Sequence, residues 1–388
     1  MKEIHSTFQS VFGDVPQVVS SAPGRVEVLG NHTDYNGGTV VGACIDRRLS
    51  VALKRRTDDL IRLRRSDGHE PVDTTVAEYS SSDLPRWSAY PLGVFDEFRM
   101  LKRDLKGFDL LISSELPTGE GLSSSAAFEL ASALALQAVS DIHLPMQGLV
   151  GLSHRAENRF VGVPCGLLDQ TVVGFGKKNH FVVLDASTGR HHVFNVPEGL
   201  QVFLFRTHIR HELTHSPYET RHRECRNATI ALSKVIPGIR HLAHLHPVDI
   251  EAYDVITDET LVRRARHVTQ EQRRVGQFLK ALHDGDAGAA GQLLTDSHTS
   301  SKTLFENSTP EMDFLVDRLT QTPHVLGARL SGAGWGGAVL ALVNEHFSES
   351  DAQGVSESYF ETFDAQPGWW KTEIGDGASI DFLHLDSQ

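Results

Sequence analysis

Three serines and two glycines in one short loop carry the first chemistry legible in this chain. Residues 116–127 read LPTGEGLSSSAA, between an apolar run, Phe108 to Ile112, with the character of a buried strand and an Ala- and Leu-rich stretch, FELASALALQAV, with the character of a helix. Gly119 and Gly121 permit a tight turn and close approach of a ligand to the backbone, while Ser123, Ser124 and Ser125 bring hydroxyls and N–H groups to the helix start. Unpaired N–H donors and the positive end of the helix dipole favour a phosphate there by about 0.3–1 kcal/mol per charge. A triphosphate suits such a loop; the alternative is a loop that only caps a core helix. No Gly-Lys-Ser or Gly-Lys-Thr opens the helix and no glycine follows Gly121 by three residues, so neither the Walker A loop nor the dinucleotide fingerprint accounts for it.

A second cluster lies in PGRVEVLGNHTDYNGG, residues 23–38, where Arg25, Asn31, His32 and Asp34 interrupt an apolar strand bracketed by glycines. Buried polar groups must be paired, so these either satisfy one another or await a polar ligand. Asp169, in CGLLDQ, sits among apolar residues in the same way, and a contact with Arg25 would keep it charged. His211-Glu212-Leu213-Thr214-His215 matches the HExxH zinc pattern, which needs both histidines on one stable helix. Pro217 follows too closely for such a helix, the preceding VFLFRTHI reads as strand, and no third ligand is placed, so no zinc is assigned. His241, His244 and His246 read as a solvated surface in a chain of 21 histidines.

The elements that must position these groups follow from the pattern along the chain. Residues 3–12 suit a short amphipathic helix, Val40 to Lys54 and Ile61 to Val76 suit strands with a turn at Asp58-Asp59, and a helix begins around Trp87 and Tyr90. Strands are expected at Val182 to Asp185, Gln201 to Phe205 and Gly327 to Leu330, and helices around 219–234, 259–283 and 310–319. SGAGWGGAVLALV adds a glycine-rich turn and a buried strand, a second place for close backbone approach. At 388 residues the chain is long for one hydrophobic core, so two domains are expected, 1–190 and 191–388. With 40% hydrophobic and 22% charged residues it has the balance of a globular protein, and a net charge of −13 disfavours nucleic acid and anionic membranes as partners. Three scattered cysteines fit a reducing compartment, and neither a signal-peptide core nor a membrane span is visible, which together point to the cytoplasm.

Taken together, GRVEVLGNHTDYNGG, PTGEGLSSSAA and SGAGWGGAVLAL resemble the three motifs of the galactokinase branch of the GHMP small-molecule kinases. AENRFVGVPCGLLDQ, LTHSPYETRHREC and SHTSSKTLFENSTPEMDFLV resemble further segments in the same order, so the resemblance spans nearly the whole chain. It implies an α+β protein with an N-terminal ribosomal-protein-like domain, a C-terminal ferredoxin-like domain and an active site between them. It implies ATP-dependent phosphorylation of a sugar, galactose first, at its anomeric 1-hydroxyl, by a monomer or weak oligomer whose partners are the sugar and ATP. By motif, Gly119, Glu120, Gly121, Leu122, Ser123, Ser124 and Ser125 would wrap the ATP phosphates, and Ser125 with Glu157 would hold Mg²⁺, a hard cation suited to oxygen ligands. Asp169 would orient or deprotonate the 1-hydroxyl and Arg25 would stabilise transition-state charge, while Asn31, His32, Thr33, Asp34, Gly166 and Tyr218 would bind the sugar.

One position departs from the family pattern. Galactokinases usually have Glu before the His-Thr-Asp of the signature, where it bonds a sugar hydroxyl near C6; here Asn31 stands there. Glutamate would repel a C6 carboxylate at about 4 Å by roughly 4 kcal/mol at an effective dielectric of 20, and asparagine would not. Asn31 is therefore expected to mark altered selectivity around C6, with a kinase for galacturonate or another C6 variant as the alternative substrate reading. A non-catalytic sugar and ATP sensor is a further alternative, disfavoured because Ser123, Ser124, Ser125, Ala126, Arg25 and Asp169 are all in place.

Overall fold

Val18–Leu29, the run that carries the first polar motif, is buried along its whole length and forms β1. In this computed structural model, which describes residues 2–80, 82–117, 121–209, 217–246 and 253–384, β1 turns through residues 30–38 into the long antiparallel β2, Thr39–Arg55. β2 then serves two neighbours. Its first residues pair with β6, His180–Asp185, and its last with β5, Phe108–Ser114. β5 runs parallel to β3, Leu60–Arg65, which pairs with β4, Val72–Thr75, and β6 pairs with β7, Arg190–Asn195. The free edge of β1 is covered by β12, Ser379–Leu383, which completes an eight-stranded sheet.

The Ala-rich α3, Ser124–Ser140, is buried on almost every side and lies on β1 and β2, since small side chains let a helix approach a sheet closely. Around it pack α2, Ala89–Leu101, α4, Met146–Arg155, and α5, Leu168–Phe175. On the opposite face α1, Lys2–Phe12, inserts Ile4 and Phe8 against Val19, Ala52 and Leu111.

A second, four-stranded antiparallel sheet has the order β11 (Gly368–Thr372), β8 (Gln201–Arg206), β10 (Ala338–Val343), β9 (Val325–Ser331). Its period of two divides the core. Phe203, Phe205, Val339, Ala341 and Val343 face one cluster with α9, Pro310–Thr320, and α10, Glu349–Phe363. Val202, Leu204, Ala338, Leu340 and Leu342 face the other way, into one continuous core with the first sheet, α7 (Glu259–His283) and α8 (Ala287–Ser300). α6, Pro217–Leu232, closes against α7 through Cys225, Ala228 and Leu232.

Helices α1, α2, α3, α6, α7 and α9 and strands β2, β5, β6, β8, β9 and β10 lie where the sequence pattern puts them. β7, β11, β12, α8 and α10 are additions. β7 reads RHHVFN and is mostly exposed, so polar residues on both faces hide its alternation. α10 carries a reciprocal capping box between Ser348 and Asp351, a start signal present in the sequence. The chain passes from the first sheet to the second at residues 196–200, and β12 returns it to the first.

Candidate active site

β1 supplies the first charge. Arg25 donates from Nε to Asp169 Oδ1 at 2.7 Å, from Nη2 to the same oxygen, and from Nη1 to the carbonyl of Gly121 at 2.7 Å. Asp169 is in the first turn of α5, and its other oxygen accepts the hydroxyl of Ser123. Ser123 adopts φ 53°, which turns its side chain away from the helix it precedes. Among the described residues no side chain is recorded capping α3 in its place, which leaves the first N–H groups of that helix to an anion. Leu122 is buried and its carbonyl accepts the Arg25 N–H at 3.0 Å, fixing the loop to β1, and Ser124 is half-buried. Gly119 and Glu120 lie outside the described residues, as does the whole HExxH stretch.

The glycine-rich turn after β9 comes up against this loop. Gly332, Gly334, Gly336 and Gly337 all have positive φ, and a Cβ at Gly332 would stand 3.2 Å from the carbonyl of Gly121. The loop before α3 and the glycine-rich turn after β9 thus meet at backbone distance.

Beside Asp169 lies a set of buried carboxylates. Ser125 lies beside Glu157, which follows α4 in a π-helical turn, Ala156–Val161. Glu157 Oε2 accepts Gln170 Nε2 at 2.6 Å and the Cys165 thiol at 3.2 Å, and the same amide reaches Glu129 Oε2 at 3.0 Å. Glu129 Oε1 has no hydrogen-bond partner among the described residues. Burial pushes both acids above the usual carboxylate range. Glu129 and Gln170 were not marked by the sequence; an acid inside the all-apolar run FELASALAL was the available signal.

Across Arg25 and Asp169 the 30–38 turn forms the opposite wall. Asp34 is half-buried, has no side-chain hydrogen-bond partner among the described residues, and backs onto Gly166, where any Cβ would collide with its carboxylate. Burial, reinforced by Glu27 and Asp169, raises its pKa to about 7. Tyr218, in the first turn of α6, sets its ring 5.5 Å from His32 and 5.7 Å from Tyr35, and burial beside Asp34 pushes its phenol up. His32 stacks on Phe305 at 4.3 Å, and burial lowers its pKa to about 3, so it is neutral. Because a carbonyl can only accept, its Nε2 carries the proton and donates to Ala333 O at 3.0 Å, leaving Nδ1 to accept from the Tyr35 hydroxyl at 3.0 Å. Thr33 is buried with its hydroxyl on the carbonyls of Gly30 and Thr39.

Asn31 does not face an open cleft. It is 0% exposed, and its amide donates to Glu27 Oε1 (2.9 Å) and Gly332 O (2.8 Å) while its oxygen accepts from Ser301 (3.1 Å) and Asn307 (2.9 Å). All four hydrogen-bonding positions of the side chain are filled. For Asn31 to act on a sugar at C6, as expected from the sequence, it would exchange bonds already made here. Glu27, Arg329, Asn307 and Ser301, none of them singled out from the sequence, hold it in place. The RVEVL alternation, which puts Glu27 on the face of Arg25, could have exposed the first of them. The histidines at 241, 244 and 246 gather no metal-holding group among the described residues, and His244 bonds Gly37 O at 3.0 Å.

Three family models match in chain order: the galactokinase galactose-binding signature over residues 6–55, the N-terminal domain of the GHMP kinases over 89–177 and the C-terminal domain of the GHMP kinases over 278–364. The galactokinase of Roseiflexus sp. strain RS-1 is 36% identical, covering 92% of this chain and 91% of its own. That of Bacillus subtilis is 34% identical over 97% of this chain and 98% of its own. The crystal structure of Lactococcus lactis galactokinase complexed with galactose superposes with a TM-score of 0.93 at 32% identity, covering 97% of this chain and 99% of that one. The mevalonate kinase of Methanococcus jannaschii shares the fold alone, at a TM-score of 0.65 and 17% identity over 93% of this chain and 99% of its own.

Proposed function

The chain belongs to the galactokinase family of the GHMP kinases, and on that premise we propose that it transfers the γ-phosphoryl group of ATP to the anomeric hydroxyl of galactose, yielding galactose 1-phosphate and ADP. The observation that carries the residue assignment is the Arg25–Asp169–Ser123 cluster, set between the start of α3 and the wall of Asp34, Gly166 and Tyr218. In this reading the residues of 119–125 receive the phosphates at the helix start, where N–H groups and the helix dipole favour anions. Asp34 accepts hydroxyls of the sugar, with the Gly166 backbone and Tyr218 beside it.

Asp169 accepts the proton of the 1-hydroxyl as that oxygen bonds to the γ-phosphorus and the bond from phosphorus to the β-bridging oxygen breaks, releasing ADP. Arg25 stays paired with Asp169 and offsets charge on the transferring group, so the barrier is lowered mainly by positioning and fixed charge. The Ser125 hydroxyl and Glu157 carboxylate are neighbouring oxygen donors, which fits Mg²⁺, an ion that takes one or two protein carboxylates and completes its shell from nucleotide and water. When bound, the ion neutralises phosphate charge. A cytoplasmic location, where ATP is plentiful, goes with this role, and among the described residues no helix is long and apolar enough to cross a membrane.

The test is ADP release from Mg²⁺-ATP with galactose, galacturonate, N-acetylgalactosamine, arabinose and glucose. Preference for galactose is expected. Silence on all five sugars would overturn the assignment, and preference for galacturonate would overturn the choice of substrate.

A further inference from the structure

One carboxylate beside the site has no task in the scheme above. Glu27 follows Arg25 by two residues on the same face of β1, which spaces their side chains by about 6.6 Å along the strand, on the scale of a sugar ring. Its Oε1 is clamped from two sides, by Arg329 Nη2 and Asn31 Nδ2, each at 2.9 Å. Arg329 is itself fully buried and anchored to Val28 O at 3.1 Å. The Ser331 hydroxyl meets both the N–H and the carbonyl of Glu27, at 3.0 and 3.2 Å, so the backbone is fixed as well. Oε2 is different. It has no hydrogen-bond partner among the described residues and is not sealed from solvent, although the side chain is only 7% exposed. A carboxylate with one oxygen held and the other open, on the face that presents Arg25, is a preorganised acceptor.

We propose that Glu27 is a specificity-determining residue of this kinase: its Oε2 accepts a hydrogen bond from a galactose hydroxyl remote from C1, and Asn31 and Arg329 position it. The proposal rests on the galactose kinase reading. It also means that the enzyme rejects uronic acids, because a sugar carboxylate at that end meets the charge of Glu27.

The experiment compares the wild-type protein with Glu27→Gln on galactose, its 2-, 4- and 6-deoxy analogues and galacturonate, following ADP release at saturating Mg²⁺-ATP. Wild-type turnover of galactose is the control for the underlying reading; its absence sinks that reading, whereas everything below concerns Glu27. Glu27→Gln should raise KM for galactose by about ten- to a hundredfold, the range of a hydrogen bond to a charged group, with kcat and the KM for ATP within about twofold. The same penalty should persist for 2-deoxygalactose, vanish for the 4- or the 6-deoxy sugar, and give way to a relative gain on galacturonate. An equal penalty on all three deoxy sugars, or none on galactose, would make Glu27 only a counter-ion to Arg329 and overturn the proposal. Since Glu27→Gln leaves Arg329 without its charged partner, the double variant Glu27→Gln/Arg329→Gln is run in parallel and must show the same analogue pattern. Independently of any variant, the wild-type enzyme should prefer galactose over galacturonate by about a hundredfold or more in kcat/KM, and comparable use of the two defeats the idea.

Discussion

Two arginine–carboxylate pairs each take one member, Arg25 or Glu27, from the same face of β1 and are kept in opposite ways. Arg25 and Asp169 have side-chain exposures of 7% and 25% and share their remaining polar atoms with one loop carbonyl and one serine. Arg329 and Glu27 have exposures of 0% and 7% and are tied into Asn31, Val28 and, through Asn31, Ser301 and Asn307. Groups that exchange protons and meet new charge in every turnover must stay reachable. An acceptor with one oxygen clamped by its neighbours gains from burial, where the hydrogen bonds around it leave a single arrangement.

That contrast breaks first at Asp169. Asp169→Asn should lower turnover by about 10²–10⁴ with ATP binding retained, as measured by single-turnover kinetics and nucleotide titration. A loss below tenfold would show that the carboxylate only orients the hydroxyl. Arg329→Met tests the other pair, where the loss should be in stability. Stranding a buried carboxylate costs about 3–5 kcal/mol, read from denaturant unfolding, whereas Arg25→Met at the open pair should fall well below that. Equal losses at the two sites would erase the distinction.

Acidity sharpens it further. Asp34 titrates near 7 because burial and two neighbouring carboxylates disfavour its charge, and protonation removes acceptor capacity. Galactose KM should therefore rise as pH falls below about 7, by up to about tenfold per unit, and Asp34→Asn should flatten that dependence. A wild-type KM constant down to pH 5.5 would show that Asp34 does not bind as a carboxylate. The smallest effect expected is that of Ser123→Ala, which removes one hydrogen bond to Asp169. Turnover should drop by no more than about tenfold and stability should change by under about 1.5 kcal/mol.

Arg25 and Asp169 were legible in the sequence because each is a lone charge in an apolar run and such a charge must find a partner. The strand, loop and helix around Ser123 were legible for the same local reasons of period and glycine placement. The partners of Asn31 were not legible because they are not local: Ser301, Asn307 and Gly332 come from the second half of the chain, and no pattern near residue 31 announces them. Glu27 was passed over as one polar residue in a strand, and its importance shows only once Arg329 is seen behind it. β12 was invisible for a related reason, since five residues of strand acquire meaning only from the edge they cover.

That edge has a consequence for how the protein is made. β1 carries Arg25 and Glu27, yet its outer side stays uncovered until Ser379–Leu383 pair with Val18–Ser21. At synthesis rates of about 5–20 residues per second, on the order of tens of seconds separate the emergence of the two strands from the ribosome. Throughout that interval the nascent chain displays an unpaired strand edge, the feature that invites wrong partners. The last strand thus acts as a closing seam, and protein whose synthesis stops short of it should be prone to aggregation even though every residue assigned to the active site has been made.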